Sequence, residues 1–214
     1  RTRKTSSPGE AVARIESAEA LRALLGSPSD LVRRKIHPQL NARAVDFIGK
    51  SPMLMLSTAD AQGNATVSPK GDPAGFVHVE DEHTLLIPER KGNKLIFSLT
   101  NILANPAIGL VFMVPGTCET LRVQGHAELL DDAGLCEKVY ARGAKALLVI
   151  RVRITECYFH CAKAFLRSDL WNPDTWPEKI TISFGAEIAE SGGIDRTIID
   201  EFDRGVAGRY KTDL

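Results

Sequence analysis

The spacing of hydrophobic positions along the chain changes once, near residue 51. Before that point apolar residues recur at intervals of three and four, which is typical of amphipathic helices. Ser17 is placed to cap a first helix with leucines on one face, and Gly26 is placed to end it. The pattern predicts a helical segment over residues 15–50. The basic, polar residues 1–14 before it are expected to be a disordered tail.

After residue 51, short apolar runs alternate with turn residues, which predicts strands joined by hairpins. A helical pattern over residues 92–104 interrupts them and ends at Asn105-Pro106, and a further helix is expected over residues 131–142. Hairpins do not fit alternating βαβ units, and no G-x-G-x-x-G motif follows a strand. About six strands are therefore expected to form an antiparallel barrel with peripheral helices, an α+β fold that is mainly β. The extended segments are residues 53–59, 65–68, 76–79, 84–88, 107–114, 120–130 and 146–155.

Composition excludes several classes of partner. Lys plus Arg and Asp plus Glu number 27 each among 214 residues, so the chain lacks the basic surplus typical of nucleic-acid-binding proteins. No apolar run approaches the roughly 20 residues that cross a bilayer. Four cysteines without a secreted disulfide pattern predict a cytoplasmic protein. Cys157, His160 and Cys161 lack the second ligand pair of a structural zinc site, so no metal is predicted.

A basic turn after the fourth extended segment has features of a phosphate site. Arg90 can bind phosphate oxygens through two parallel hydrogen bonds, and Lys91 adds a compact positive charge. If a helix begins at Gly92, the free N–H groups of its first turn also favour an anion. The alternative is a solvated basic turn before an ordinary helix.

The loop over residues 68–76 is the second candidate. Its prolines and glycines predict a rigid turn at a strand end, where small side chains let the backbone approach a flat ring. Lys70 would place a cation beside that ring. The alternative is a tight loop with an exposed lysine.

The ordered series of motifs resembles the pyridoxamine 5′-phosphate oxidase-like flavoproteins, and within them a subgroup of predicted flavin-nucleotide-binding proteins. The resemblance extends over about residues 47–176. It is carried by Ser68–Asp72, Arg90–Asn93, Asn105–Pro106, Leu121–Ala127, Cys157–Lys163 and Leu166–Trp171.

The resemblance implies FMN in a groove between two subunits of a homodimer, each with a six-stranded antiparallel split β-barrel over residues 51–176. Residues 177–214 would form an extension that packs on the barrel or on the partner subunit. Arg90 and Lys91 are implied to hold the phosphate, helped by Asn93 and the nearby backbone, and Ile87, Pro88 and Gly92 are further implied cofactor-binding residues. Those along the isoalloxazine ring are Ser68, Pro69 and Lys70, and those of a segment that reaches the pocket are Lys163, Arg167, Ser168 and Trp171. Packing at the dimer seam is the alternative role for Trp171.

The implied function is an FMN-dependent oxidoreductase that transfers hydride or electrons between the flavin and a small molecule. Lys70 is the implied catalytic residue, because a cation near N1 and O2 stabilises the anionic reduced flavin. Residues 167–173 lack the basic, His-containing motif with which the oxidase proper grips the pyridoxal phosphate ester, which argues against oxidation of pyridoxamine phosphate. The open alternatives are a non-catalytic FMN-binding or redox-sensing protein, a split barrel for deazaflavin F420 or haem, and a structural dimerisation domain.

Overall fold

The structure is a computed structural model that describes residues 14–213. The predicted disordered tail lies outside the described residues except for Arg14. The chain divides into two compact units, residues 1–35 and 36–214, which are described separately. Among the described residues, no helix is long and apolar enough to cross a membrane.

The first unit contains two short helices, α1 (Ala18–Leu25) and α2 (Asp30–Arg33). As predicted, Ser17 caps α1 through a hydrogen bond from Ala20 N to its Oγ at 3.1 Å. Gly26 ends α1 with a φ of 80°, in the left-handed region that favours glycine. Both helices lie within residues 15–50, where the sequence predicts a helical segment.

The second unit is built around one antiparallel sheet with the strand order β2-β1-β5-β6-β7-β4-β3. The sheet has seven strands, where about six were predicted, because each of the seven extended segments found in the sequence forms a strand, the four-residue edge strand β3 included. The strands are β1 (Met53–Ala59), β2 (Ala65–Gly71), β3 (His78–Asp81), β4 (Thr84–Glu89), β5 (Ala107–Met113), β6 (Thr120–Leu130) and β7 (Leu148–His160). The helices are α3 (Ala42–Lys50), α4 (Phe97–Ala104), α5 (Ala133–Lys138), α6 (Lys163–Ser168), α7 (Phe184–Glu190) and α8 (Ile199–Thr212).

Alternation of apolar residues fixes which face of the sheet forms the core. On β1, Leu54, Leu56 and Thr58 are buried and the residues between them are partly exposed, as expected of a strand with one face on the core. Strand β4 is buried along most of its length, because α5 covers the face that the main core leaves open. The sheet curls so that its ends meet: Lys70 of the edge strand β2 forms an ion pair with Glu89 of β4.

The longest strand pair depends on one glycine. The register of β6 and β7 shifts between Gln124 and Gly125, a β-bulge. A Cβ atom at Gly125 would lie 2.2 Å from the carbonyl oxygen of Arg153. Only glycine therefore allows the two backbones to approach this closely.

Two predicted helices are shorter than expected. Helix α4 begins at Phe97 and not at Gly92, because Lys94 and Ile96 adopt left-handed φ values of 65° and 48° that break a helical path. Helix α5 ends at Lys138, and Arg142 and Gly143 have positive φ values of 52° and 84°. Both corrections place turns where helix was predicted, and the turn at Arg142 lines the candidate site described below.

Candidate functional site

A buried carboxylate organises the ends of β2 and β4. Asp72 follows β2 directly, and its side chain is only 5% exposed. It accepts a hydrogen bond from Arg90 Nε at 2.7 Å and another from Arg142 Nε at 3.2 Å. Because a buried carboxylate needs partners to offset its lost hydration, these two guanidinium groups stabilise Asp72 in its buried position.

Arg90 also binds the connection between α5 and β7. Its Nη2 donates to the carbonyl oxygen of Val139 at 2.7 Å, and its Nη1 donates to that of Ala144 at 3.3 Å. Together with the bond to Asp72, this engages all three guanidinium nitrogens with the protein. Arg90 was predicted to bind phosphate, and the structure places it as a connector between three segments.

The connection itself contains a tight turn. Ala141 and Ala144 exchange backbone hydrogen bonds of 3.1 Å and 3.0 Å, and the two residues between them, Arg142 and Gly143, both have positive φ. This is the geometry of a type I′ turn, in which glycine or asparagine is usual and arginine is not. Arg142 therefore has a backbone conformation that is unfavourable for a residue with a side chain.

Lys91 faces away from the protein core and meets the C-terminal helix. Its Nζ lies 2.7 Å from Oδ1 of Asp213, the residue after α8. The hydrogen bond from Lys91 lowers the pKa of the Asp213 carboxyl, and burial opposes this shift in part. The Lys91 side chain is 60% exposed, so this pair is open to water and to competition from another anion.

These segments surround a cavity of about 360 Å³. Four cationic side chains and two carboxylates line it among the described residues, which leaves an excess of two positive charges. Its lining comprises Gly71, Asp72, Arg90, Lys91, Ala141, Arg142, Ala144, Lys145, Leu147, Thr212 and Asp213. We refer to it as the cationic cavity.

The predicted ring-binding residues share strand β2 but not one face of it. In the ladder with β1, Ser68 pairs with Leu56 and Lys70 with Leu54, so both lie on the core side. Pro69 lies on the opposite, exposed face. Lys70 Nζ donates to Glu89 Oε2 at 2.5 Å, and both side chains are more than four-fifths buried.

The other cofactor-binding residues predicted around this turn divide into two groups. Ile87 and Pro88 are buried in β4, where they support the site without reaching the cationic cavity. Gly92 and Asn93 lie in the exposed turn before α4, and Asn93 accepts a hydrogen bond from Leu95 N at 3.1 Å. Because α4 begins at Phe97, its first turn does not adjoin Arg90 and Lys91 as the sequence predicted.

The segment predicted to reach the pocket lies away from the cationic cavity in one chain. Lys163, Arg167 and Ser168 are exposed on α6. The indole of Trp171 stacks on Phe165 at 5.7 Å and donates from Nε1 to the Thr117 carbonyl at 3.0 Å. None of the four predicted residues lines the cationic cavity. Their role at a flavin stays a prediction that requires a second subunit.

A second depression of about 490 Å³ lies on the outer face of the sheet, opposite the core. Its apolar lining includes Met55 and Val67, and Val67 is 63% exposed. Arg122 also lines it, and the Nε atom of Arg122 is buried without a hydrogen-bond partner among the described residues. Buried polar atoms are nearly always paired in native proteins, so this face lacks an acceptor that something else must supply.

Sequence reasoning missed four charged residues of the cationic cavity: Asp72, Arg142, Lys145 and Asp213. Asp72 was noticed only as part of a motif, Arg142 ends the helix predicted over residues 131–142, and Lys145 lies between that helix and the strand predicted over residues 146–155. The Arg142-Gly143 dipeptide carried a weak turn signal, because glycine after a polar residue suits an I′ turn. No local pattern showed that this turn meets the ends of β2 and β4.

Comparison with known proteins identifies the family. The family model described as pyridoxamine 5′-phosphate oxidase matches residues 40–161, more than half of the chain. A search of curated proteins gave no match. Among solved structures, a candidate pyridoxamine 5′-phosphate oxidase from Lactobacillus delbrueckii is 28% identical, with a TM-score of 0.44 over 57% of this chain and 95% of that chain.

Two further solved structures are similar at lower identity. HupZ from Group A Streptococcus is 18% identical, with a TM-score of 0.46 over 56% of this chain and 93% of that chain. An FMN-binding protein from Syntrophomonas wolfei is 9% identical, with a TM-score of 0.43 over 67% of this chain and 96% of that chain. The assignment depends on the family model, which matches the barrel from Leu40 to Cys161. This chain therefore belongs to the pyridoxamine 5′-phosphate oxidase-like split-barrel family.

Proposed function

We propose that this protein binds FMN, with the phosphate in the cationic cavity, and passes hydride or electrons between the flavin and a small molecule. The observation that carries the proposal is the excess of positive charge in a cavity where β2 and β4 end. Phosphate esters carry about two negative charges near neutral pH, and clustered Arg and Lys side chains bind them strongly. Family membership supplies the expectation that the phosphate ester belongs to a flavin.

The residues present fit such a ligand. The cavity volume of about 360 Å³ lies at the lower end of the usual range for ligand pockets, roughly 300–1,000 Å³. Lys91 and Arg142 have side chains 60% and 55% exposed, so their cationic groups are accessible to an anion. The edge strand β2 borders the cavity at Gly71, where a flat ring system can extend along the backbone.

When bound, FMN would supply the redox chemistry, and the protein would supply orientation and charge. Lys70 is the proposed residue beside the ring. Its ammonium group donates a hydrogen bond to Glu89 of strand β4, which holds it in one position. A fixed cation near the flavin would favour the anionic reduced state. Replacing Lys70 with Met is then expected to lower the midpoint potential of the bound flavin.

We also propose that the active form is a homodimer that forms through the outer face of the sheet. Two observations support this proposal. A second copy of the chain would cover the exposed apolar side chains around Val67. It would also offer an acceptor to the Nε atom of Arg122, which has no hydrogen-bond partner among the described residues. Sedimentation should give twice the mass of one chain, and Val67→Glu should give single chains. A wild-type protein that sediments as single chains would refute the dimer. The cytoplasmic location stays a prediction.

Ligand titration tests the cofactor. Ligand-free protein is titrated separately with FMN, deazaflavin F420 and haem, and binding is followed through the fluorescence or absorbance of each ligand. We expect FMN to saturate at one molecule per chain and to bind most tightly. Tighter binding of F420 or haem would show that this ligand, and not FMN, is the cofactor. If none of the three ligands binds, a structural dimerisation domain is the remaining alternative.

Reduction kinetics separate an enzyme from a carrier. The FMN-loaded protein is mixed anaerobically with NADH or NADPH, and loss of the flavin absorbance is recorded. A flavoenzyme that accepts hydride from a nicotinamide is expected to bleach at a rate that saturates with donor concentration. Loaded protein that stays oxidised with both donors, yet is reduced by dithionite, would favour the non-catalytic or redox-sensing alternative.

A further inference from the structure

We infer that helix α8 is an autoinhibitory latch, in which the carboxylate of Asp213 holds Lys91 at the cationic cavity until an anionic ligand displaces it. The inference rests on the proposed function for the identity of that ligand. It extends the site beyond the barrel, because Asp213 lies outside residues 40–161, which the family model matches. Ligand binding and release of α8 are then two sides of one coupled equilibrium.

The carboxylate of Asp213 lines the cavity that the ligand would fill. Its Oδ1 lies 2.7 Å from Lys91 Nζ, and both Thr212 and Asp213 belong to the lining. Asp213 follows the last turn of α8, yet its side chain is only 21% exposed. It also accepts a hydrogen bond from Thr212 Oγ1 at 3.1 Å. The chain thus places an anion of its own against a cation of the site.

The rest of α8 is held more by α7 than by the barrel. Every residue of α8 is at least partly exposed, and the helix packs mainly on α7 and on the 3₁₀ turn at Arg196–Ile198. Gly185 N of α7 donates to Asp203 Oδ1 of α8 at 2.8 Å. A Cβ atom at Gly185 would lie 2.8 Å from the carbonyl oxygen of Ile199, so the two helices touch closely. Residues 184–213 therefore form a hairpin that can leave the cavity without any change in the sheet.

The latch is weak enough for a ligand to open it. The Lys91 side chain is 60% exposed, and exposed ion pairs contribute little because water and salt screen them. Asp213 lies at the C-terminal end of a helix, where the helix dipole favours cations and disfavours a carboxylate. A phosphate ester carries about two negative charges near neutral pH, against one on Asp213. Lys91 is therefore expected to exchange Asp213 for the ligand.

The strength of the ion pair limits the size of the effect. The ligand binds best to molecules whose Lys91 is free, so its apparent dissociation constant rises as the fraction of such molecules falls. An exposed pair of this kind favours the held helix by a factor of up to about five. The latch therefore weakens ligand binding by up to about fivefold, and full release of α8 exposes its amides by a similar factor.

Hydrogen exchange of the backbone amides, followed by mass spectrometry, tests this coupling in the full chain. Peptides from residues 199–213 report the held helix, and those from β5 and β6 report the barrel. Saturating FMN should raise the exchange rate of residues 199–213 by about two- to fivefold, while the rates of β5 and β6 should not rise. Unchanged or slower exchange in α8 on FMN binding would overturn the inference.

Asp213→Asn tests the same coupling from the side of the ligand. The variant removes one of the two carboxylate charges that line the cavity and keeps the size of the side chain. Because coupling between two sites is reciprocal, FMN should bind about two- to fivefold more tightly and should no longer speed exchange in α8. Glu201→Gln is the matched control, since Glu201 is an exposed carboxylate in the first turn of the same helix. Equal affinities of the two variants for FMN would also overturn the inference.

A comparison without ligand separates the latch from the proposed function. Lys91→Ala removes the partner of Asp213 and should raise the exchange rate of residues 199–213 by about two- to fivefold. Lys50→Ala breaks an equally short but distant ion pair, with Asp46 at 2.7 Å, and should not. If the wild-type protein binds no FMN, the proposed function fails, and this comparison still decides whether Asp213 holds α8. Equal exchange in the two lysine variants would refute the latch whether or not FMN binds.

Discussion

Replacing Asp72 with Ala should destabilise the protein far more than removal of an exposed carboxylate. Asp72 is 5% exposed and accepts from both Arg90 and Arg142, at 2.7 Å and 3.2 Å. Without it, Arg90 keeps its two carbonyl acceptors but loses its counter-charge, and Arg142 loses its ion-pair partner in the turn.

The burial of Asp72 and Arg90 sets the size of the expected change in unfolding free energy. Removing one partner of a buried ion pair costs about 3–5 kcal/mol, because the other charge stays uncompensated. The Arg90 side chain is 25% exposed and retains contacts with carbonyl groups, so part of this cost is relieved by solvent. We therefore expect the free energy of unfolding to fall by about 2–4 kcal/mol.

Urea denaturation of the ligand-free protein measures this loss, with Asp46→Ala as the matched control. Asp46 pairs with Lys50 at the same 2.7 Å, but their side chains are 64% and 65% exposed. An exposed helical pair of this kind contributes only about 0.3–0.5 kcal/mol. With an m-value of about 1–3 kcal/mol/M, the urea midpoint should fall by about 1 M or more for Asp72→Ala and hardly at all for Asp46→Ala. Equal midpoints for the two variants would refute the proposed organising role of Asp72.

Three further predictions concern the barrel. Gly125→Ala should lower the free energy of unfolding by about 1–3 kcal/mol or more, as is typical of overpacking. The added Cβ atom would lie 2.2 Å from the Arg153 carbonyl oxygen. Cys157 should resist alkylation while the exposed Cys161 reacts, because burial and, secondarily, Glu156 raise the pKa of the Cys157 thiol. Burial lowers the pKa of His78 below its usual 6.5, so protonation favours the unfolded chain and stability should fall as the pH drops through about 6.5.

Each of these predictions has a control within the chain. Gly109→Ala places a Cβ at 3.9 Å from Ser57 in a neighbouring strand, an ordinary contact, and should be nearly neutral in the same urea assay. For the thiols, mass spectrometry of partially alkylated protein assigns the order of reaction, and modification of Cys157 before Cys161 would contradict the prediction. For His78, a His78→Gln variant should lose less stability than wild type between pH 7 and pH 5. Parallel curves of unfolding free energy against pH for the two proteins would show that His78 contributes nothing to the pH dependence of stability.

Much of the barrel could be predicted from the sequence because the signals are local. Alternation of apolar and polar residues identified every strand of the sheet, and turn residues between them identified the hairpins. Helix α3 (Ala42–Lys50) lies within the helical segment predicted over residues 15–50, because its apolar spacing and the Ser51-Pro52 that follows it are local signals too. The start of α4 was wrong, because left-handed conformations at Lys94 and Ile96 have no signal in residue type.

The candidate site was only partly predictable because it is assembled from distant segments. Arg90 and Lys91 stand out in the sequence as adjacent cations after a strand. Their partners, Asp72 and Asp213, lie 18 and 122 residues away, and no local pattern connects them. The cations of the turn at Arg142 reach the same cavity only because the sheet curls and brings β2 and β4 together. The charges and spacing of residues along the sequence do not predict that β2 and β4 come together.

The central claim, that this split barrel holds FMN, is tested most directly by the visible absorbance spectrum of the purified protein, with the released ligand identified by mass. We predict bands near ~375 and ~450 nm and the mass of FMN, because a bound flavin keeps its own chromophore. A colourless protein that also fails to take up added FMN would contradict the claim.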